Sequence, residues 1–352
     1  MVPGKGMKTI LVLPGDGIGP EITEATLAVM QAAAKDLIQI RTMAIGEASL
    51  VSKGSTFPDK VLEAVPAADG VLLGPVSHYT YPAGQPNPSA TLRTRFNLFA
   101  NIRPCRSRPD LSILRKPMDL IIVRENTEGF YADRSMHMGP GEFMPDPDSA
   151  FSIRKITAAA TRNVAQAACE LASARSGRLT VVHKANVLKL TDGLFLREVR
   201  AIAAQHPGVT LDEVIVDAAA ALLIRDPARF DVIVTTNMFG DILSDEASEL
   251  SGSLGLGGSI NAGEDICVGQ AQHGSAPDIA GQGIANPTSL ILSAAMLLDW
   301  MGRRANDAAL TGAARRIEAA VDRTLDDPRT RTRDIGGMLG TAAFADAVVQ
   351  AL

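Results

Sequence analysis

The sequence predicts an α/β fold, with sheets covered by helices, in a chain long enough for two domains. Three observations predict it. Short apolar runs suited to buried strands recur at 8–13, Val71–Leu73, Leu120–Val123, Leu179–Val182, Val214–Val216 and Val232–Thr235. Helical patterns lie between many of them, as at 157–172 and 192–204, and the last third is largely helical, at 287–302, 306–325 and 341–351. Such alternation argues for an α/β architecture. The length, 352 residues, exceeds what a single core usually organises.

Taken in order, the first strand, KTILVL, runs into PGDGIGP. Gly15, Gly17 and Gly19 do not complete G-x-G-x-x-G, because Pro20 holds the sixth position. The turn is therefore not the dinucleotide fingerprint of a Rossmann domain. Pro20 suits a first helical turn, and Ile22, Ala25, Thr26, Val29, Met30 and Ala33 then share one helical face. Thr157 is a ready N-cap for an Ala-rich helix. Residues 134–149, rich in Met, Gly, Pro and Asp, are the one loose-looking internal stretch.

Composition excludes several classes. The net charge is −5 with no basic block, which argues against a nucleic-acid partner. No apolar run approaches the ~20 residues of a membrane span, and the opening MVPGKGMKTI lacks the apolar stretch of a secretory signal. Cys105, Cys169 and Cys267 are scattered without C-x-x-C spacing. That fits a reducing cytoplasm and argues against a zinc site or disulfide framework.

The charged residues point to chemistry. In NMFGDILSD (237–245), Asp241 and Asp245 stand four apart and share a helical face. Two such carboxylates repel unless solvated, or bridged by a hard cation such as Mg²⁺ or Mn²⁺. Arg93, Arg95, Arg103, Arg106 and Arg108 crowd one region, and Arg124 ends an apolar strand. Strand ends are where α/β proteins meet ligands. An arginine there needs a carboxylate partner.

Six segments then occur in register: LPGDGIGPE (13–21), FANIRP (99–104), VRENTEGFY (123–131), HKANVLKLTDGLF (183–195), FDVIVTTNMFGDILSD (230–245) and HGSAPDIAGQGIANP (273–287). Together they resemble the β-decarboxylating hydroxyacid dehydrogenases: isocitrate, homoisocitrate, 3-isopropylmalate and tartrate/D-malate dehydrogenases. The resemblance covers nearly the whole chain. It implies a two-domain α/β fold that is not Rossmann, with the active site in the cleft. Residues 1–99 and 257–352 would form the cofactor-binding large domain, and 100–256 the small domain with the dimer interface. An arm at about 132–156 would clasp a second subunit, in a homodimer or a tetramer whose sites are shared.

The implied reaction oxidises a 2-hydroxy acid by hydride transfer to a nicotinamide, expels CO₂ from C3 and protonates the enol. It asks for arginines to hold two carboxylates, a Lewis acid at the C2 oxygen and a tuned base and acid. By resemblance, Arg93, Arg103 and Arg124 bind the substrate carboxylates, and Asn186 lies near the nicotinamide end. Asp217, Asp241 and Asp245 hold Mg²⁺ or Mn²⁺, with Asp217 supplied across the dimer. Lys184 is the base, also supplied across the dimer, and Tyr131 is the acid. His273, Gly274, Ser275, Ala276, Asp278 and Asn286 belong to the cofactor loop. Asp278 followed by Ile279, in place of the lysine and tyrosine of NADP-dependent relatives, selects NAD.

Ser89 and Ala90 stand where isopropylmalate enzymes place leucines, with Asn87 one turn earlier. A small polar pocket suits the substituent of isocitrate or homoisocitrate better than an isopropyl group. 3-Isopropylmalate and tartrate/D-malate dehydrogenases are the alternatives, with a non-catalytic regulatory subunit as one of another class. Two segments depart from the family pattern. VSHYTYP (76–82) leaves His78, Tyr79 and Tyr81 open to facing the substrate, and Gln270 replaces a usual glutamate.

Overall fold

The computed structural model describes residues 6–108, 110–131 and 135–352. It separates into two units, Met1–Leu92 with Leu254–Ile260 and Asp265–Leu352, and Arg93–Ser253 with Asn261–Glu264. The divisions expected at 99/100 and 256/257 thus lie at 92/93 and 253/254, and the chain returns briefly to the second unit at 261–264.

The first unit holds strands β1 (Lys8–Leu13), β2 (Ile38–Thr42) and β3 (Gly70–Leu73), and helices α1 (Gly19–Ala34), α2 (Gly46–Lys53) and α3 (Asp59–Ala64). Helix α4 (Pro88–Arg95) spans the boundary. The unit's later part adds β12 (Cys267–Gln270), α9 (Thr288–Arg304), α10 (Ala308–Asp326) and α11 (Thr341–Gln350). Its strands run in the order β2-β1-β3-β12, all parallel. Strand β3 is buried along its whole length, as expected for a parallel strand covered on both faces. The face foreseen for α1 is the buried one, from Ile22 to Ala33.

The second unit holds β4 (Ala100–Arg106), β5 (Asp119–Glu125), the pair β6 (Glu142–Asp146) and β7 (Ser149–Ser152), α5 (Ala158–Ser173), β8 (Arg178–His183), α6 (Thr191–Ala203), β9 (Thr210–Ile215), α7 (Val216–Arg225), β10 (Val232–Thr235) and α8 (Asn237–Ser251). Strand β11 (Ile260–Ala262) lies where the chain passes between units. The order is β4-β5-β10-β8-β9, parallel except for β4 against β5. Thr157 caps α5, its hydroxyl accepting from Ala160 N at 3.3 Å.

Two expectations change. The strand expected at Val214–Val216 ends at Ile215, and Val216 opens α7. The segment 134–149 contains most of a two-stranded ribbon, exposed throughout β6, with Phe143 and Phe151 stacked 5.3 Å apart. Residues 132–134 of the expected arm lie outside the described residues. All three cysteines are buried and free. Among the described residues no helix is long and apolar enough to cross a membrane.

Candidate active site

In the second unit, β4 and β5 present arginines to helix α8. Asn101 and Arg103 are two apart on β4 and share a face, and Arg124 pairs directly opposite Asn101. Helix α8 answers with Asn237, Asp241, Ser244 and Asp245, one stripe at helical spacing. Gly240 lets the helix lie this close, since a Cβ there would stand 2.6 Å from that of Arg124.

The hydrogen bonds are dense. Arg103 donates to Asn101 Oδ1 at 2.7 Å, and to Ser244 Oγ and Asp245 Oδ1 at 2.8 Å each. Its other terminal nitrogen lies 3.5 Å from Asp241 Oδ1. Arg124 donates to Asn237 Oδ1 at 2.9 and 2.7 Å and pairs with Asp241. So two guanidinium groups are shared between two carboxylates. Burial lowers the Arg124 pKa to about 10, against the pull of Asp241. Burial raises that of Asp245, and Arg103 only partly offsets it. The aspartate side chains stay partly open, 36% exposed for Asp241 and 49% for Asp245.

Lys184 follows β8 and ion-pairs with Asp217, at the first turn of α7. Its backbone N–H donates to the buried Asp192 at 2.5 Å. Asp192 also pairs with Arg154, whose guanidinium lies 5.6 Å from the ring centre of Phe130 and 5.3 Å from that of Phe239. Arg154 donates as well to Thr191 Oγ1 and Thr236 Oγ1, at 2.9 and 3.1 Å. One side chain thus ties together the neighbours of Lys184, Tyr131 and Asp241. Tyr131 lines a cavity of about 770 Å³ with Phe130, Pro140, Gly141, Glu142, Ser152 and Met238. Asn186 is exposed. Nothing in the spacing pointed to Arg154.

In the first unit, Ser89 on α4 donates to Gln270 Oε1 at 3.1 Å, so the two unusual positions are partners. The Asn87 carboxamide is used locally, accepting from Ala90 N at 3.2 Å. Arg93, where the second unit begins, sits half-buried in the last turn of α4.

The loop 273–286 is compatible with a dinucleotide. His273 Nε2 is buried without a hydrogen-bond partner among the described residues. Burial lowers this imidazole's pKa, keeping it neutral near pH 7. A Cβ at Gly274, Gly281 or Gly283 would meet nothing within 4 Å, so the loop backbone has open space beside it. Ser275 is buried, Ala276 is left-handed at φ +37° and Asp278 is exposed. Asn286 donates to Asp334 Oδ2 and accepts from Thr288 N, both at 3.0 Å.

For a divalent cation, Asp241 and Asp245 offer hard oxygen donors on one helical face. Mg²⁺ takes about six ligands, so two carboxylates supply a partial set. Among the described residues no three acidic, His or Cys side chains converge on such a point.

A family model described as isocitrate/isopropylmalate dehydrogenase matches residues 9–348. The chain belongs to that family. Members are decarboxylating dehydrogenases of 3-substituted malates. This isocitrate/isopropylmalate dehydrogenase family member is 42% identical to an isocitrate/homoisocitrate dehydrogenase of Thermus thermophilus, over 97% of this chain and 98% of that one. It is 41% identical to a 3-isopropylmalate dehydrogenase of Methanothermobacter thermautotrophicus, over 99% of both. The crystal structure of an isocitrate dehydrogenase from Methylococcus capsulatus matches with a TM-score of 0.87 and 40% identity, over 98% of this chain and 99% of that one.

Proposed function

We propose that the enzyme uses NAD and Mg²⁺ or Mn²⁺ to oxidise and decarboxylate isocitrate or a homoisocitrate-like acid. It would act in the cytoplasm as a homodimer with shared sites. The observation that carries the substrate reading is the Ser89–Gln270 hydrogen bond. A neutral polar pair accepts a polar or carboxylate-bearing substituent. It gives an isopropyl group no apolar partner and would be left poorly solvated against one.

Arg93, Arg103 and Arg124 hold the malate carboxylates, matching them with planar forks. Lys184 of a second copy takes the proton from the C2 hydroxyl, and Tyr131 returns one to C3 after CO₂ leaves. Asp241 and Asp245 hold the cation together with Asp217 of a second copy. When bound, the cation supplies a Lewis acid at the C2 oxygen and NAD supplies the hydride acceptor. The exposed Asp278 carboxylate can accept from the ribose hydroxyls and repels a 2′-phosphate.

The test is NADH formation with Mn²⁺ against isocitrate, homoisocitrate, 3-isopropylmalate, tartrate and D-malate. The highest kcat/KM should fall on isocitrate or homoisocitrate. Turnover confined to 3-isopropylmalate would overturn the pocket reading. A higher kcat/KM with NADP than with NAD would overturn the role of Asp278.

A further inference from the structure

The segment VSHYTYP supplies a feature that the proposed chemistry does not use. Tyr81 donates its phenolic hydrogen bond to Asp16, in the glycine turn between β1 and α1. Asp16 is only 4% exposed. Its Oδ1 accepts from Glu47 N at 2.7 Å, and its Oδ2 accepts from Ser77 N at 2.9 Å as well as from Tyr81. No lysine or arginine among the described residues pairs with it. Three donors therefore hold a buried negative charge, and such charge-assisted bonds are strong. Burial and the neighbouring carboxylate push the Tyr81 phenol far above its ordinary value, so the proton stays on the donor.

The network continues to the cofactor loop. Ser77 Oγ donates to Ser275 Oγ at 2.8 Å. Ser275 O accepts from Ile18 N at 2.8 Å, and Pro75 O accepts from Asp16 N at 2.8 Å. The contacts have no slack. A Cβ on Gly17 would stand 2.0 Å from Ser275 O, and one on Gly15 would stand 2.1 Å from Pro75 O. The carboxylate thus ties Glu47 and the Ser77–Tyr81 segment directly, and Ser77 and Ile18 carry the tie on to Ser275. By contrast His78 and Tyr79, in an edge-to-face contact at 5.9 Å, are exposed.

We propose that Tyr81 is a positioning residue for dinucleotide binding, acting through Asp16 and Ser77 to fix the pose of Ser275 and the loop that follows it. This rests on the reading that the 273–286 loop holds NAD. Tyr81 touches neither cofactor nor substrate in this role. Its loss should change affinity for NAD and leave the chemistry on the hydroxy acid alone.

Tyr81→Phe and Ser77→Ala are tested in the full-length protein by calorimetric titration with NAD and by steady-state kinetics. Tyr81→Phe loses a charge-assisted bond and Ser77→Ala the neutral bond to Ser275; each should weaken NAD roughly five- to tenfold and raise KM for NAD to match. The kcat and the KM for the hydroxy acid should stay within about twofold, a split that general loosening would not give. The double variant should bind NAD about as weakly as either single one, because both act along one line. In NAD-free protein, amide exchange at Ile18 and Ser77 should speed up in Tyr81→Phe. Unchanged NAD affinity in Tyr81→Phe, or equal losses in kcat and in both KM values, would overturn the proposal alone. Wild-type protein that binds no NAD would overturn the cofactor reading, and this inference with it.

Discussion

Two arginine–aspartate groupings sit in the same unit and are built from the same residue types, yet they differ in kind. Arg154–Asp192 is closed. Asp192 is fully buried, Arg154 is 8% exposed, and two phenyl rings and two threonine hydroxyls complete the surroundings. The grouping of Arg103, Arg124, Asp241 and Asp245 has equally buried arginines, but its carboxylates remain open to solvent. The first is a fixture, since neither partner can be exchanged without leaving a buried charge. The second is a set of interactions that a ligand can replace. Openness on the carboxylate side, not the presence of an ion pair, separates scaffolding from site.

Matched substitutions break or sharpen that contrast. On the proposed function, Asp245→Asn should lower kcat at least about a hundredfold, through loss of a cation ligand. It should change stability by less than about 1 kcal/mol, because a half-open ion pair contributes little and Asp241 still faces the Arg103 guanidinium at 3.5 Å. Asp192→Asn should cost about 3 kcal/mol or more, the usual result of leaving a buried arginine without its anion. Urea unfolding of both variants decides it, and equal stability losses would dissolve the distinction.

Glu128 tests a third case, a buried carboxylate that pairs with no arginine among the described residues. It accepts from Thr157 N at 2.6 Å and from Thr157 Oγ1 at 2.9 Å. Burial raises its pKa from 4.5 to about 7. The folded chain then keeps a proton that the unfolded chain releases above about pH 4.5. Stability from this group is present below that pH and is lost as pH rises towards 7. Glu128→Gln should flatten the pH dependence of the melting temperature across that window. An unchanged slope would show that Glu128 is ionised throughout.

Much of the framework was legible because it depends on local periodicity. The buried face of α1 and the Thr157 cap follow from spacing within one segment. Strand β4 escaped because ANIRPCR alternates poorly and carries Pro104; its long pairing with β5 decides its state. Helix α7 escaped because the apolar run at 214–216 reads through the strand end at Ile215. The site divides the same way. Arg124 could be seen to need a carboxylate, but only the fold shows that Asp241 is the partner. Arg154 and the Ser89–Gln270 pair join segments far apart in the chain, and no single stretch of sequence carries such a link.

The shared pairing of Arg103 and Arg124 with Asp241 and Asp245 has a thermodynamic consequence. On the proposed function, a substrate carboxylate draws the guanidinium groups away from the aspartates, and a divalent cation draws the aspartates away from the guanidinium groups. Each ligand thus does part of the other's work of separation. Linkage then requires heterotropic cooperativity of equal size in both directions. Mn²⁺ should tighten a non-reacting dicarboxylate analogue by the same factor by which that analogue tightens Mn²⁺, roughly five- to a hundredfold. Two independent titrations in the absence of NAD measure the two factors. Binding of one ligand indifferent to the other would mean that the four charges are not in competition.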